Sequence, residues 1–315
     1  GRVRLVLHQR AQGRRPRMTA PRVSAIIPTR NGAAKLPTLL AALVRQKERT
    51  GLEIVAIDSD STDLTRDLLA GAGAMVLDLG GRRFGHGSAR NRAAAAASGE
   101  ILLFLTQDVE PVGDDWLAPL VATFDESVVA GAFGRQLPRG ASPEEAFLAG
   151  VNYPAASRRI TARDLERPFG PGATFFSNAF GAVRRAVWER YPFPDIVMSE
   201  DQAWGMAVLR AGHQLRYVAA AAVHHGHAFP VSRVFRRNFD SGSSLARLGI
   251  AGGAWTRGLA HLARELRWIA AEHGAGALPH AVVYEAARMV GFQCGRLERA
   301  MPEAWARVLG EAPRG

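Results

Sequence analysis

Three short polar stretches hold the residues best able to do chemistry: Pro28-Thr29-Arg30-Asn31-Gly32, Asp58-Ser59-Asp60-Ser61-Thr62-Asp63 and Thr106-Gln107-Asp108-Val109-Glu110-Pro111. Two are rich in carboxylates, which suit hard divalent cations. The same residue types also make turns and helix caps, so one such loop says little and three on one sheet edge say more. Further on, Glu200-Asp201 opens a helix that carries Trp204, Val208 and Leu209 on one face. Paired acids there can include a general base or can simply complement the helix dipole. His224, His225 and His227 suggest a zinc site at first sight. Their spacing on a strand end points neighbours in opposite directions. With Cys294 the only cysteine, no dedicated structural zinc site is expected.

Each of the three stretches follows a strand. Residues 23–27 read as a buried strand, and Leu36, Leu39, Leu40, Leu43 and Val44 then fall on one helical face. Residues 53–57 form a second strand, followed by a short helix with Leu64, Leu68 and Leu69 that Ser61 or Thr62 is expected to cap. A third strand over 74–77 and an Ala-rich helix over 88–97 lead to Ile101-Leu102-Leu103-Phe104-Leu105, apolar throughout and so buried on both faces. This alternation predicts a parallel, doubly wound sheet, whose ligands bind at the carboxyl ends of the strands. No Gly-rich phosphate fingerprint follows the first strand, which argues against a dinucleotide oxidoreductase and a P-loop kinase. Ser241-Gly242-Ser243-Ser244 reads as a break, with helices after it over 255–271 and 279–300.

Hydrophobic residues at 47% and charged residues at 22% are globular values, excluding wholesale disorder and fibrous repeats. The formal net charge of +11 invites a nucleic-acid reading. Its distribution argues against one. Residues 1–17 carry six Arg and no acid, 231–300 carry ten Arg against five acids, and 18–230 balance. A nucleic-acid-binding domain concentrates its basic face within the folded unit; here the body is neutral. No stretch reaches the 18 or so apolar residues of a membrane-spanning helix, and a cytoplasmic location is expected.

The order of these segments resembles family 2 glycosyltransferases of the GT-A fold. Residues 23–32 are similar to that family's first strand and nucleotide loop, and 54–63 to its second strand and Asp-rich turn. Phe84-Gly85-His86-Gly87-Ser88-Ala89-Arg90-Asn91, Phe104-Leu105-Thr106-Gln107-Asp108 and Val223-His224-His225-Gly226-His227 resemble the rhamnosyltransferase-like branch. The resemblance covers residues 22–245. It implies an α/β fold: a GT-A, Rossmann-like, mostly parallel sheet flanked by helices, with a C-terminal helical segment. The organisation expected is a basic, disordered extension over 1–17, a GT-A domain over 18–245 and helices over 246–315. The usual metal motif, Asp-x-Asp, is replaced by Thr106-Gln107-Asp108. Fewer anionic ligands remain, and weak metal binding completed by the nucleotide's diphosphate is expected.

The resemblance implies an inverting, metal-dependent transferase that moves a sugar, L-rhamnose from dTDP-L-rhamnose, onto a cell-surface glycan or lipid-linked acceptor. The alternatives are a UDP-sugar donor and a non-catalytic nucleotide-sugar-binding protein. Asp108 and His225 are expected to hold Mg²⁺ or Mn²⁺, with imidazole favouring Mn²⁺. Pro28, Thr29, Asn31, Asp58, Asp60, Phe84, His86 and Gln107 are expected around the nucleotide sugar, with Arg90 on its phosphates. Asp201 is expected to be the base, with Glu200 holding the acceptor or the loop. Asn178 and His227 are placed on the acceptor side, where Phe175-Phe176-Ser177-Asn178 resembles the strand preceding the catalytic loop. The C-terminal helices, with Arg scattered among apolar residues, fit peripheral contact with the inner face of the membrane, packing on the catalytic domain, or a homodimer interface.

Overall fold

The computed structural model describes residues 22–81, 84–166, 175–250 and 255–311. The extension over 1–17 lies outside the described residues. In chain order the elements are β1 (Val23–Thr29), α1 (Leu36–Thr50), β2 (Glu53–Asp58), α2 (Thr65–Gly71), β3 (Met75–Asp78), α3 (His86–Ala96) and β4 (Ile101–Leu105). There follow β5 (Glu110–Pro111), α4 (Ala118–Ala122), β6 (Val129–Leu137), α5 (Pro143–Asn152), β7 (Arg158–Ile160), β8 (Phe180–Arg184) and α6 (Arg185–Arg190). The chain continues through α7 (Glu200–Arg210), β9 (Gln214–His224), α8 (Val231–Arg247), α9 (Trp255–His273), α10 (Leu278–Arg296) and α11 (Glu303–Leu309).

The strands form one sheet in the order β3-β2-β1-β4-β8-β6-β9-β5, with β7 also on β9. The first four are parallel, as strand-helix alternation requires. After β4 the pattern changes. β8 runs antiparallel to both β4 and β6, and β9 returns parallel to β6. The sheet is therefore mixed, with its parallel half at the N-terminal end.

Successive strand residues point to opposite faces, and both faces are covered. Ile26, Val55, Ile57, Leu102 and Phe104 pack with Ala89, Ala93 and Trp204 on one side. Ala25, Ile27, Ile54, Ala56, Leu103 and Leu105 pack with Leu36, Leu39, Leu43 and Leu120 on the other. Alanines on α3 let that helix lie close to the sheet, where a bulkier face would hold it away.

Three local expectations are corrected. Neither Ser61 nor Thr62 caps α2: Ser61 hydrogen-bonds Asp58, Thr62 bonds Asn31, and Asp63 accepts from the Thr65 backbone at the start of the helix. Phe175-Phe176-Ser177-Asn178 is a loop, with both phenylalanines buried in the core. Finally, Ser241-Gly242-Ser243-Ser244 is no break, because α8 runs through it. The reason is tertiary. Gly242 faces α10, where a Cβ on it would run into the Phe292 carbonyl, while Ser241 and Ser244 bond the loop before α7. Gly291 and Gly295 on α10 meet the Phe235 and Phe239 carbonyls in the same way. Close backbone contact outweighs a weak intrinsic helix preference.

Candidate active site

The carboxyl ends of β1, β2 and β4 bring the first two loops and the Thr106–Asp108 turn side by side. Thr29 and Asp58 are opposite partners at the β1–β2 edge. Asp58 is fully buried; its Oδ1 accepts from Ser61 Oγ (2.6 Å) and Thr29 Oγ1 (3.2 Å), and its Oδ2 from the Ser61 backbone (3.0 Å). Asn31 and Asp60 adopt left-handed φ of 44° and 55°, a conformation that Asn and Asp tolerate better than most. Asn31 Oδ1 accepts from the Thr62 backbone (2.9 Å), tying the two loops together. Gln107 makes a reciprocal pair with the Arg30 backbone, at 3.0 and 3.1 Å. A Cβ on Gly32 would lie 2.5 Å from Gln107 Oε1, so this clasp requires glycine there. Asp58 and Gln107, both expected on the nucleotide, are thus engaged within the loops. Asp60 and Asn31 are exposed, Thr29 is buried and Pro28 half-buried.

The Phe84–Asn91 segment starts α3 and holds the chain ahead of α7. Gly87 lies against the Pro194 carbonyl. Asn91 Oδ1 accepts from Trp188 Nε1 (2.9 Å) and the Phe193 backbone (3.1 Å), while its amide donates to the Phe193 carbonyl (2.8 Å). Arg90 is buried, and its Nη1 donates to Glu200 Oε1 at 3.1 Å. Arg90, expected on phosphate, here pairs with a carboxylate. Phe84 and His86 pack edge to face at 4.9 Å. Burial lowers the His86 imidazole from its ordinary value, opposed by the charge of Glu200.

Glu200 and Asp201 begin α7 after Ser199, which takes a left-handed φ of 65°. The loop before α7 is tethered to α8, through Met198 N to Ser244 Oγ (3.1 Å) and Ser199 Oγ to Ser241 Oγ (3.2 Å). Asn178 serves both acids: its backbone N–H donates to Asp201 Oδ2 (3.1 Å) and its amide to Glu200 Oε1 (3.2 Å). Burial, and then the neighbouring Glu200 charge, push the Asp201 carboxyl up to about 7 against the pull of the Asn178 hydrogen bond. A carboxylate poised there suits proton transfer near neutral pH.

Asp108, His225 and His227 converge, with one ligand atom from each lying within 4.8 Å of the others. His225 Nε2 is 3.6 Å and His227 Nε2 3.8 Å from the Asp108 oxygens, and the two imidazole nitrogens are 3.2 Å apart. His227, expected near the acceptor, joins the cation group because i and i+2 on an extended chain share a side. Burial alone would raise the Asp108 carboxyl, but the hydrogen bond and charge of His225, with His227, hold it well below the usual range. Burial and then His225 lower His227 to about 4, leaving it neutral and able to ligate at neutral pH. One carboxylate and two imidazoles fit a divalent cation such as Mn²⁺ better than Mg²⁺. Lys35 lies 3.5 Å from Asp108. Glu110, flanking the motif, pairs with Arg139 instead.

Sequence reasoning missed Gln136, which is buried on β6 and bonds His225. It also missed the structural roles of Gly87 and Asn91. A lone Gln in a strand carries no local signal, whereas the spacing of Gly87, Arg90 and Asn91 could have been read as one helix start.

The fold is that of the GT-A glycosyltransferases. Similar solved structures include a mannosyltransferase from Pyrobaculum calidifontis in complex with GDP-Man and Mn²⁺, with a TM-score of 0.58 and 19% identity, covering 91% of this chain and 89% of that one. Another is Staphylococcus aureus TarS 1–349 in complex with UDP-GlcNAc, with a TM-score of 0.52 and 18% identity, covering 89% and 91%. Residues 24–191 match the family model Glycosyl transferase family 2, and the chain belongs to that family. Over 297 residues it is 29% identical to the O-antigen chain rhamnosyltransferase RfbN of Salmonella typhimurium, covering 91% of this chain and 94% of that protein. It is 27% identical over 300 residues to the pre-mycofactocin glycosyltransferase of Mycobacterium tuberculosis, covering 93% of this chain and 61% of that protein. The protein is a glycosyltransferase.

Proposed function

We propose that the protein is an inverting, metal-dependent rhamnosyltransferase that moves L-rhamnose from dTDP-L-rhamnose to a cell-surface glycan or lipid-linked acceptor. One observation carries the reading. The Asp108–His225–His227 group is linked through Gln136 and Ser177 to the loop whose Asn178 holds the acid pair. The donor sugar is supported by likeness to RfbN over most of both chains.

The nucleoside lies between the two clasped loops, with Pro28, Thr29, Asn31 and Asp60 around it and Phe84 and His86 over the sugar. Asp58 and Gln107 hold those loops in shape. Asp108, His225 and His227 would hold Mg²⁺ or Mn²⁺, which would supply positive charge for the leaving diphosphate. Asp201 takes the proton of the acceptor hydroxyl as that oxygen bonds to the anomeric carbon. The bond from that carbon to the diphosphate oxygen breaks on the opposite face, and its electron pair leaves with the diphosphate. Glu200, fixed by Arg90 and Asn178, keeps the base raised and in place.

Among the described residues no helix is long and apolar enough to cross a membrane. A lipid-linked acceptor would be met through the outward side of α10 and the residue just past it, where Val283, Val290 and Leu297 are 55%, 49% and 60% exposed. Retention on anionic vesicles, lost when these three become Ser, tests that contact.

The main test is a thermal-shift panel of dTDP-L-rhamnose and UDP-sugars with and without Mn²⁺, paired with Asp201→Asn. Metal-dependent stabilisation by dTDP-L-rhamnose is expected. Asp201→Asn should keep donor binding and lose transfer. Wild-type transfer by that variant would remove Asp201 as base, and no stabilisation by any of these sugars would remove the donor assignment.

A further inference from the structure

Gln136 takes no part in the reaction as described, yet it stands between the two halves of the site. It is 6% exposed, near the end of β6, where its backbone pairs with Val223 of β9 just ahead of the histidines. Its side-chain amide is held at both ends. Oε1 lies 2.8 Å from His225 Nδ1, and Nε2 donates to Ser177 Oγ at 2.9 Å. The next residue after Ser177 is Asn178, whose two N–H groups hold Asp201 and Glu200.

An amide oxygen can only accept, so the Nδ1 facing it must carry the proton. A neutral imidazole with its proton on Nδ1 has a bare Nε2. In His225 that nitrogen is the atom turned toward Asp108 and His227. Outer partners of this kind set the tautomer and ring direction of metal-binding histidines, and losing one typically costs about 10–100-fold in metal affinity or activity.

We infer that Gln136 is a positioning residue. It locks His225 in the cation-ready tautomer and, through Ser177, ties the cation group to the loop that holds the acid pair. This rests on Asp108, His225 and His227 being the cation site. The two ideas fail differently: if the site itself is wrong, the wild-type protein binds no Mn²⁺ and Gln136 has nothing to orient.

The chemistry separates orientation from simple packing. Gln136→Glu keeps an acceptor toward His225 Nδ1 and an acceptor for the Ser177 hydroxyl. Gln136→Met fills similar volume and offers His225 no comparable acceptor. Titration of the full-length protein with Mn²⁺ alone, by calorimetry or by the electron-spin signal of free Mn²⁺, reads the difference without turnover. Gln136→Met should bind about 10–100-fold more weakly, and Gln136→Glu should restore affinity to within about threefold of wild type. Wild-type affinity in Gln136→Met, or an equal loss in both variants, would overturn the inference.

A second measurement needs no variant at Gln136. In metal-free wild-type protein at mildly alkaline pH, long-range ¹H–¹⁵N spectra should show the His225 proton on Nδ1, the signal being assigned by its disappearance in His225→Gln. A proton on Nε2 would mean that the Gln136 amide is reversed, and would overturn the inference even if Gln136→Met does not fold.

Discussion

Replacing Glu200 by Gln should move the pH dependence of transfer downward. Glu200 Oε1 receives Arg90 Nη1 at 3.1 Å and the Asn178 amide at 3.2 Å, and a glutamine oxygen can accept both. What disappears is the negative charge, the second cause after burial of the raised Asp201 carboxyl. The two carboxylates contact the two N–H ends of one asparagine. That places them on the order of 6 Å apart, worth about 2.8 kcal/mol at an effective dielectric of about 20, or roughly two pKa units. Arg90 attracts the Asp201 carboxylate in both proteins and cancels from the difference, so a downward shift of about two units is expected.

The active form of the base is the carboxylate, so activity rises with pH through the Asp201 value. The acid limb of kcat/KM should lie near about 7 in the wild type and near about 5 in Glu200→Gln. The assay is release of the nucleoside diphosphate at limiting acceptor across pH, with melting temperature followed in parallel to show that the fold is kept. An acid limb that stays put or moves upward in Glu200→Gln would refute the argument. So would a wild-type limb near the ordinary aspartate value.

Two further outcomes follow from the C-terminal helices. Gly295→Ala places a methyl against the Phe239 carbonyl, backbone against backbone, and should cost about 1–3 kcal/mol, read as a fall of several degrees in melting temperature; an unchanged transition would mean that α8 and α10 can separate freely. Glu265 is fully buried on α9, and burial followed by the Glu285 charge raises it to about 8. The folded state therefore binds this proton more tightly than the unfolded chain, and stability falls as pH climbs from about 4.5 towards 8. Glu265→Gln should gain more melting temperature over wild type at about pH 9 than at about pH 5. Equal gains at both would contradict the shift.

Much of the parallel half was legible because periodicity survives in one dimension. Residues 101–105 are apolar without a gap, and β4 is buried on both faces. The first helix pattern, Leu36 through Leu43, is the buried face of α1. The second half was less legible. β8 has five residues and pairs with strands more than forty residues away in sequence, and no local pattern encodes such a partner. Ser241–Ser244 misled for a related reason: its small residues mark a helix contact, and a turn uses the same residues.

The order of residues sets which chemical groups this protein carries. Its residue order placed carboxylates after strands, two acids at a helix start and histidines at a strand end, and its motifs pointed to the family. The tertiary structure decided which of those groups are available. Asp58, Gln107 and Arg90 are polar residues within the motifs, but folding closes hydrogen bonds around them and assigns them to holding loops and Glu200. His227 joins Asp108 across a span of 119 residues only because β4 and β9 belong to one sheet. A residue's type fixes what it can donate or accept. Whether a ligand or a neighbouring loop receives it depends on distances that the folded chain alone sets.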